Sequence, residues 1–385
     1  MLPFDYAIRN LGRSPLRLAL GVGGSALVAL LAVASVGFVR GMNEALGTSG
    51  RTDNVMLVGA GSEESLERSE ISPQVGEIVA AETDGIAAAM EQPFVSPQVH
   101  VALPVGPPER GVVGLFRGIA AAAFLVHPQV RMVAGRAPDP GTDEIALGGE
   151  AAAMLARAGL PHEIGQSLPL ESRSLPIVGL LSAPGTVFEG EIWMNLQSVK
   201  IATQRTTDSC VVVGLAPGGD IADLDAFAAT RIDLELAVVR ESDYFAALGR
   251  FLAPVRWLVV ATALLVSAGG LLGGVIVMDA AFASRVRELG TLQALGFRRR
   301  AIAWSLFQEA LLASFAGGLL ASALAALLLD GASVRSSMGS FAVRVDLVAV
   351  ASGLLAGLFL GAVGAAVPAL RCLRLPIPVA LKSAT

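Results

Sequence analysis

Residues 284–300 read SRVRELGTLQALGFRRR, a basic and half-apolar stretch set between two long hydrophobic runs. Upstream, Trp257–Met278 carries no charge; downstream, Ala301–Leu329 carries a single acid, Glu309. Crossing a hydrocarbon layer of about 30 Å at about 1.5 Å per residue takes about 20 residues. Both flanks meet that length, so the charged stretch lies between two membrane spans.

Working outward, two further runs qualify, Leu18–Val39 and Leu347–Leu370, which makes four spans. Between Gly41 and Arg250 the best candidate is Ile119–Val126, far too short to cross. Over the whole chain, 54% of the residues are hydrophobic and 16% charged, below the roughly 25% charged of an ordinary soluble domain. A cleavable signal peptide is the rival reading of the first run, since Arg9, Arg13 and Arg17 precede it and Ala32-Val33-Ala34 resembles a cleavage site. The run continues past that point to Val39, and a retained span is the expectation.

Lys and Arg set the orientation of the loops. Segments 1–17, 279–301 and 371–385 carry 11 basic residues against Asp5, Asp279 and Glu288. Residues 40–250 carry 14 basic and 27 acidic residues, a net charge of −13. Four spans put both termini and the 284–300 stretch on one side, and the positive-inside rule makes that side the cytoplasm. The expected fold class is an α-helical membrane protein with four transmembrane helices, plus an α+β extracytoplasmic domain inserted between helices 1 and 2. The expected divisions are a cytoplasmic segment 1–17, a span 18–39, the domain 40–250, a span 251–278, the cytoplasmic loop 279–300, a span 301–329, an outer loop 330–346, a span 347–370 and a cytoplasmic tail 371–385. Cys210 and Cys372 then fall on opposite sides and cannot pair; Cys210 reads as a small buried residue.

Within 40–250, Asn54–Val58, Leu175–Leu181, Cys210–Val213 and Leu234–Val239 read as strands, while 74–81, 149–158 and 221–230 have helical spacing. Thr142-Asp143-Glu144 and Asp220 read as entry signals. Pro-containing pieces at 92–108 and 134–141 read as irregular connections. In the spans, Gly353, Gly357 and Gly361 share a helix face, as do Gly269/Gly273 and Gly270/Gly274. Small residues four apart let membrane helices approach closely, either inside one bundle or between two copies.

The sequence offers no support for an enzyme. A phosphate-binding loop needs G-x-x-x-x-G-K-(S/T), and the two lysines, Lys200 and Lys382, follow no glycine. His162-Glu163 begins a zinc motif that Gln166 ends, and His100, His127 and His162 share no ligand spacing. No G-x-S-x-G elbow occurs. Acid pairs such as Glu63/Glu64 and Glu189/Glu191 read as solvated faces. Nucleic acid is excluded as a partner, because the large domain is acidic and the basic residues lie against the membrane. No cofactor or metal is expected.

Placed on a helix, Ser284–Leu295 lines up Val286, Leu289, Leu292 and Leu295 as an apolar stripe. Arg285 and Glu288 are spaced to pair, Ser284 is a candidate N-cap and Gly296 a C-cap. Arg298, Arg299 and Arg300 mark re-entry among the lipid headgroups. Two readings fit this pattern: an interfacial helix anchored by its arginines, and a helix that docks in a groove of a cytoplasmic protein.

The residues themselves carry a resemblance. Arg285-Val-Arg-Glu-Leu-Gly-Thr-Leu-Gln-Ala-Leu-Gly296, followed by basic residues, then Phe307-Gln-Glu-Ala-Leu-Leu312 and Gly317-Gly318, is similar to the signature of the FtsX-like, or MacB-type, permease family. In that family R-x-R-E-(I/L)-G-x-(L/M)-x-A-(L/I/M)-G joins the second and third spans. Ala7-Ile-Arg-Asn-Leu11 with Arg13 resembles the family's lead-in, and Pro368-Ala-Leu-Arg371 with Pro378-Val-Ala-Leu381 resembles its tail. The large domain resembles the family's periplasmic core domain mainly at Asp143–Gly148 and Ile177–Leu180. Gln293 stands where the family often carries a basic residue.

The resemblance implies the permease subunit of an ABC transporter in the bacterial cytoplasmic membrane. Its coupling helix would comprise Arg285, Arg287, Glu288, Leu289, Gly290, Leu292, Leu295 and Gly296 and would dock on a separate cytoplasmic ATPase dimer that binds the ATP. Arg298, Arg299, Arg300 and Glu309, the latter pairing with a base such as Arg300, would serve membrane re-entry, and Gly353, Gly357 and Gly361 helix packing. Expected partners are a second permease in a homodimer or heterodimer, a periplasmic adaptor and membrane lipids. The expected function is export or extraction of a lipoprotein, lipid, peptide or drug by movement of the outer domain. The alternative is a signal relay that activates an extracytoplasmic cell-wall hydrolase or sensor.

Overall fold

The computed structural model describes residues 15–107, 111–170, 173–283, 286–336 and 339–374. The lead-in motif at 7–13, Ser284, Arg285 and the Pro378–Leu381 tail motif lie outside the described residues. The chain divides into two units. One holds residues up to Arg40, Pro254–Ala332 and the chain from Val343; the other holds Gly41–Ala253 with Ser333–Ala342.

Four long helices account for the apolar runs: α1 (Pro15–Ser49), α8 (Ala253–Ala283), α10 (Arg299–Leu328) and α11 (Leu347–Arg374). Each contains a stretch long and apolar enough to cross a membrane. Helix is the expected state for such a run, because in hydrocarbon every backbone N–H and C=O must bond within the segment. Pro15 and Pro254 sit in first turns, where the missing N–H has no intrahelical partner to lose. α1 continues ten residues beyond Val39, to Ser49.

Small residues hold α1, α10 and α11 together. A Cβ added at Gly317 of α10 would meet Ser25 Oγ and the Val22 carbonyl oxygen of α1 at 2.0 and 2.5 Å. One at Gly353 of α11 would meet Val33 Cγ2 at 2.3 Å, and one at Gly361 would meet Ser314 Oγ at 2.2 Å. Ala29, Ala321, Ala325 and Ala349 are fully buried in the same seams. Backbone contact of this kind replaces the hydrophobic effect as the cohesive force between helices in lipid. The stripe Gly353/Gly357/Gly361 therefore packs inside the bundle. α8 differs: none of its most apolar window is buried. It leaves an apolar cavity of about 600 Å³ against α1 and α11, lined by Val28, Val36, Leu264, Leu271 and Phe359.

The inserted domain is α+β. Its strands are β1 (Asn54–Gly59), β2 (Ala88–Ala89), β3 (Gln92–Pro93), β4 (Val95–Val105), β5 (Val112–Ile119), β6 (Arg131–Gly135), β7 (Ile145–Gly148), β8 (Ser167–Leu170), β9 (Arg173–Ser182), β10 (Glu191–Asn195), β11 (Cys210–Gly214) and β12 (Leu236–Arg240). The hairpin β13 (Ser333–Ser336) and β14 (Gly339–Ala342) belongs to the same unit. Its helices are α2 (Val75–Glu82), α3 (Ala123–Val126), α4 (Gly149–Arg157), α5 (Leu196–Thr203), α6 (Ile221–Thr230) and α7 (Glu241–Phe251). Ten strands form one mixed sheet in the order β12-β1-β11-β4-β5-β10-β7-β9-β6, with β8 on β9. β5–β10 and β7–β9 are its parallel pairs.

Two hydrophobic cores lie along this sheet. Val55, Leu57, Val211 and Val213 meet Val75, Val79 and Leu224 of α2 and α6. Ile145, Leu147, Ile177 and Ile192 meet Leu155 of α4 and Val199 of α5. β1 is buried at all six positions, which accounts for its unbroken apolar run; β9 buries alternate residues from Leu175 and shows the two-residue period of a half-covered strand. Asn195 and Asp220 cap α5 and α6 through bonds to the amides of Gln197 and Ala222.

Two readings of the sequence are corrected here. Residues 95–105, within the expected irregular piece 92–108, form the eleven-residue strand β4 at mid-sheet. β11 pairs with β4 over Val95–Gln98 and β5 over Gln98–Val105, so Pro97 and Pro104 are each paired on one side only. A proline is tolerated where its missing N–H need not serve a ladder. Leu234 lies in a 3-10 turn, and Glu235 takes a left-handed φ of 48° before β12 starts at Leu236.

Candidate functional site: the segment between the second and third long helices

Val286–Ala294 forms the helix α9. Gly296 ends it with φ +93°, its amide bonding to the Gln293 carbonyl oxygen while the Phe297 amide reaches that of Leu292. This is the left-handed termination that glycine favours, since no Cβ meets the carbonyl.

The structure divides the apolar stripe. Leu289 is buried against Ile302 and Leu306 of α10, with Val286 and Leu292 packed on the same cluster. Leu295 is 75% exposed. Gly290 is buried, Glu288 is half-buried and bonded, and Arg287, Thr291, Ala294, Gly296 and Phe297 are exposed. Arg298, Arg299 and Arg300 are exposed at the start of α10. Gln293, in the place often held by a basic residue, faces inward, and its Oε1 has no hydrogen-bond partner. Glu309 is buried and has a partner. A pairing of Glu309 with Arg300 does not fit the helix. Nine residues at about 100° each put the two on opposite sides of α10. Among the described residues no cluster of three or more metal-ligating side chains occurs.

The inserted domain holds a second constellation, which the sequence did not reveal. Arg117 on β5 bonds Glu191 on β10 in two-pronged fashion, at 2.6 and 2.7 Å. Its third contact is Gln98 Oε1 on β4, at 2.5 Å. Gln98 Nε2 lies 3.1 Å from His127 Nε2. With the Gln98 oxygen committed to Arg117, its amide nitrogen must donate to His127 Nε2, so neutral His127 carries its proton on Nδ1. That nitrogen lies 3.6 Å from Glu241 Oε1, too long for a hydrogen bond. Glu241 Oε2 accepts from the Arg51 amide at 3.0 Å and Asn54 Nδ2 at 2.8 Å. Trp193 Nε1 donates to Glu191 Oε2, and the Phe188 ring lies 4.9 Å from both the His127 ring and the Arg117 guanidinium carbon.

All of these side chains are buried. Burial pushes the Glu241 carboxyl up to about 7, its donors offsetting only part of the desolvation. Burial, reinforced by Arg117, holds the His127 imidazole well below its usual value. Cys210 is buried, and its thiol is pushed up to about 12 by desolvation. The reading of Glu189 and Glu191 as a solvated pair is corrected. Glu191 is the buried partner of Arg117, and Glu189 accepts from the amides of Gly149 and Ala183. The one legible signal was a single charge inside an apolar strand, as in Leu115-Phe-Arg-Gly-Ile119.

Family comparison agrees with this architecture. The FtsX-like permease C-terminal model matches residues 258–377, and the MacB-like periplasmic core domain model matches residues 18–229, more than half of the chain. The chain belongs to the FtsX-like, MacB-type family of ABC transporter permeases. Among solved structures, the periplasmic region of MacB from Actinobacillus actinomycetemcomitans is similar at 11% identity and a TM-score of 0.40, over 52% of this chain and 93% of that one. The extracellular domain of the noncanonic ABC-type transporter YknZ from Gram-positive bacteria is similar at 14% identity and a TM-score of 0.38, over 48% and 99%. No curated protein gives a significant match.

Proposed function

We propose that the chain is the permease subunit through which a separate ATPase moves an extracytoplasmic domain, for export or extraction of a lipoprotein, lipid, peptide or drug. It resides in the bacterial cytoplasmic membrane with both termini inside. It binds no cofactor itself; ATP is held by the ATPase dimer beneath it. The working unit pairs two permease chains, identical or related, and α8 is the helix with a free face for that pairing.

The observation that supports this reading is the mounting of α9. Its inner face is fixed to the start of a long apolar helix through Leu289, Ile302 and Leu306, while Arg287, Thr291 and Leu295 face outward. A short helix bound rigidly to a span on one side and free on the other converts a push from a partner into motion of that span. The spans carry few ionisable residues, so a polar substrate path between them would be poorly lined. Movement of the inserted domain, not a channel, is then the output.

The test co-purifies the intact chain with its ATPase and measures stimulation of ATP hydrolysis. Leu295→Asp removes stimulation and leaves membrane insertion and thermal stability unchanged, because the side chain is exposed. Leu289→Asp lowers stability as well, because it buries a charge against α10. Full stimulation by the Leu295→Asp chain would sink the assignment.

A further inference from the structure

Within the inserted domain, the segments that connect it to the helical unit converge on one place. α1 ends there: Thr48 Oγ1 donates to the Gly185 carbonyl oxygen, and Ser49 Oγ accepts from the Val187 amide at 2.8 Å. β14 of the hairpin that links α10 to α11 lies against the same 3-10 turn, Val187–Gly190. α7, which precedes α8, begins at Glu241. A Cβ at Gly50 would meet Ser242 Cα at 2.7 Å and the Glu241 carbonyl oxygen at 2.8 Å, so the two backbones are in direct contact. The Glu241 carboxylate then ties the Arg51 amide and the Asn54 side chain to α7.

We propose that this convergence, residues 48–54, 185–191 and 241–242, is the mechanical input joint of the inserted domain, with Glu241 as its positioning residue. The inference rests on the coupling function proposed above. The joint takes displacement from all the chain connections at once and delivers it to the sheet.

Its stiffness comes from the buried polar chain. Asn54 lies on β1 in one half of the sheet, and Arg117 and Glu191 lie on β5 and β10 in the other. Gln98 sits at the one position of β4 that pairs with both β11 and β5. Bonds from Glu191 through Arg117 and Gln98 reach His127, and the adjoining Val126 carbonyl oxygen accepts from Asn54 Nδ2 at 2.8 Å, which ties that chain to β1 in the other half and so to Glu241. Each link is buried, so slippage would leave a polar or charged group unpaired in a low-dielectric interior. Phe188 adds a ring contact from the 3-10 turn to both Arg117 and His127. A joint of this kind moves as a body and does not dissipate the motion locally.

The experiment uses the intact chain with its co-purified ATPase in lipid nanodiscs. Hydrogen exchange of the inserted domain is compared without nucleotide and with ATP plus vanadate. In the wild type, nucleotide changes exchange in peptides covering β4 and β10. In Glu241→Ala and Ser49→Ala that change is about fivefold smaller, while ATPase stimulation through α9 is retained. A wild type with no nucleotide-dependent change in the inserted domain overturns the coupling function itself. A wild-type response that both variants keep in full overturns the joint and leaves the coupling function standing. If Glu241→Ala does not fold, Ser49→Ala, which removes a single hydroxyl, decides alone.

Discussion

Glu241 shows how one residue can carry several constraints. Its carboxyl, buried in the domain, holds the Arg51 amide just past α1 and the Asn54 side-chain amide at the start of β1. The folded carboxyl titrates at about 7, against an ordinary value of 4.5. Between those values the folded chain keeps a proton that the unfolded chain has lost. Stability from this group therefore falls as pH rises from 4.5 to about 7 and is level above. The change amounts to at most about 3 kcal/mol. Glu150, also raised to about 7 by burial, with the Glu189 charge adding to it, titrates in the same window. His127 works in the opposite direction. Its folded pKa lies well below 6.5, so the unfolded chain takes up the proton first as pH falls, and stability is lost below 6.5. The opposing slopes blur in the wild type, but differences between variants separate them. Trp193 fluorescence, with Trp257 and Trp304 replaced by Phe, reports unfolding of the inserted domain. On this signal Glu241→Gln gains in Tm over its parent progressively from about pH 4.5 to 7. A Tm difference that does not move with pH would remove Glu241 as a buried titrating group.

Elements differ in how much of their packing is local. Apolar length is a local property, so the four spans were readable from composition along the chain. The glycine stripe of α11 was readable as a close-approach face, but not its partners, which lie more than 300 residues away at Ala29 and Val33 and some 40 residues away at Ser314. The stripe also makes a graded prediction. A Cβ at Gly353 would sit 2.3 Å from Val33 Cγ2 and 2.9 Å from the Ala29 carbonyl oxygen, whereas one at Gly357 would meet its neighbours at ordinary contact, 3.5 Å and beyond. Gly353→Ala is expected to cost about 1–3 kcal/mol through overpacking, and Gly357→Ala to be near neutral. Thermal stability of the two purified variants checks the order, and equal effects would contradict the packing described. β4 was misread because a proline's cost depends on which side of the strand is paired at that position, and pairing is set by β11 and β5, far along the chain. In α9 the three-residue period marked an apolar stripe correctly. Periodicity could not say that Val286, Leu289 and Leu292 turn toward α10 and that Leu295 is the stripe's exposed member.

At the scale of the whole molecule, charge was the most legible property and sheet order the least. Strand order depends on pairings such as Glu191–Asn195 with Leu115–Ile119, more than 70 residues apart, and no local pattern encodes them. Charge needs only a count: −13 over residues 40–250, against 11 basic residues and three acids in segments 1–17, 279–301 and 371–385. Basic residues are retained on the cytoplasmic side during insertion, so the sign of each segment predicts its side. Positions 220 and 298 are both exposed and fall in segments of opposite expected side. With Cys210 and Cys372 replaced by Ala, a thiol reagent that cannot cross membranes is expected to label Asp220→Cys in intact cells. Arg298→Cys is expected to react only after the cells are permeabilised. The reverse pattern would invert the orientation, and with it the ATPase assignment, because α9 would then face the side that holds no ATP. Labelling at 298 therefore tests the driving partner as directly as it tests topology.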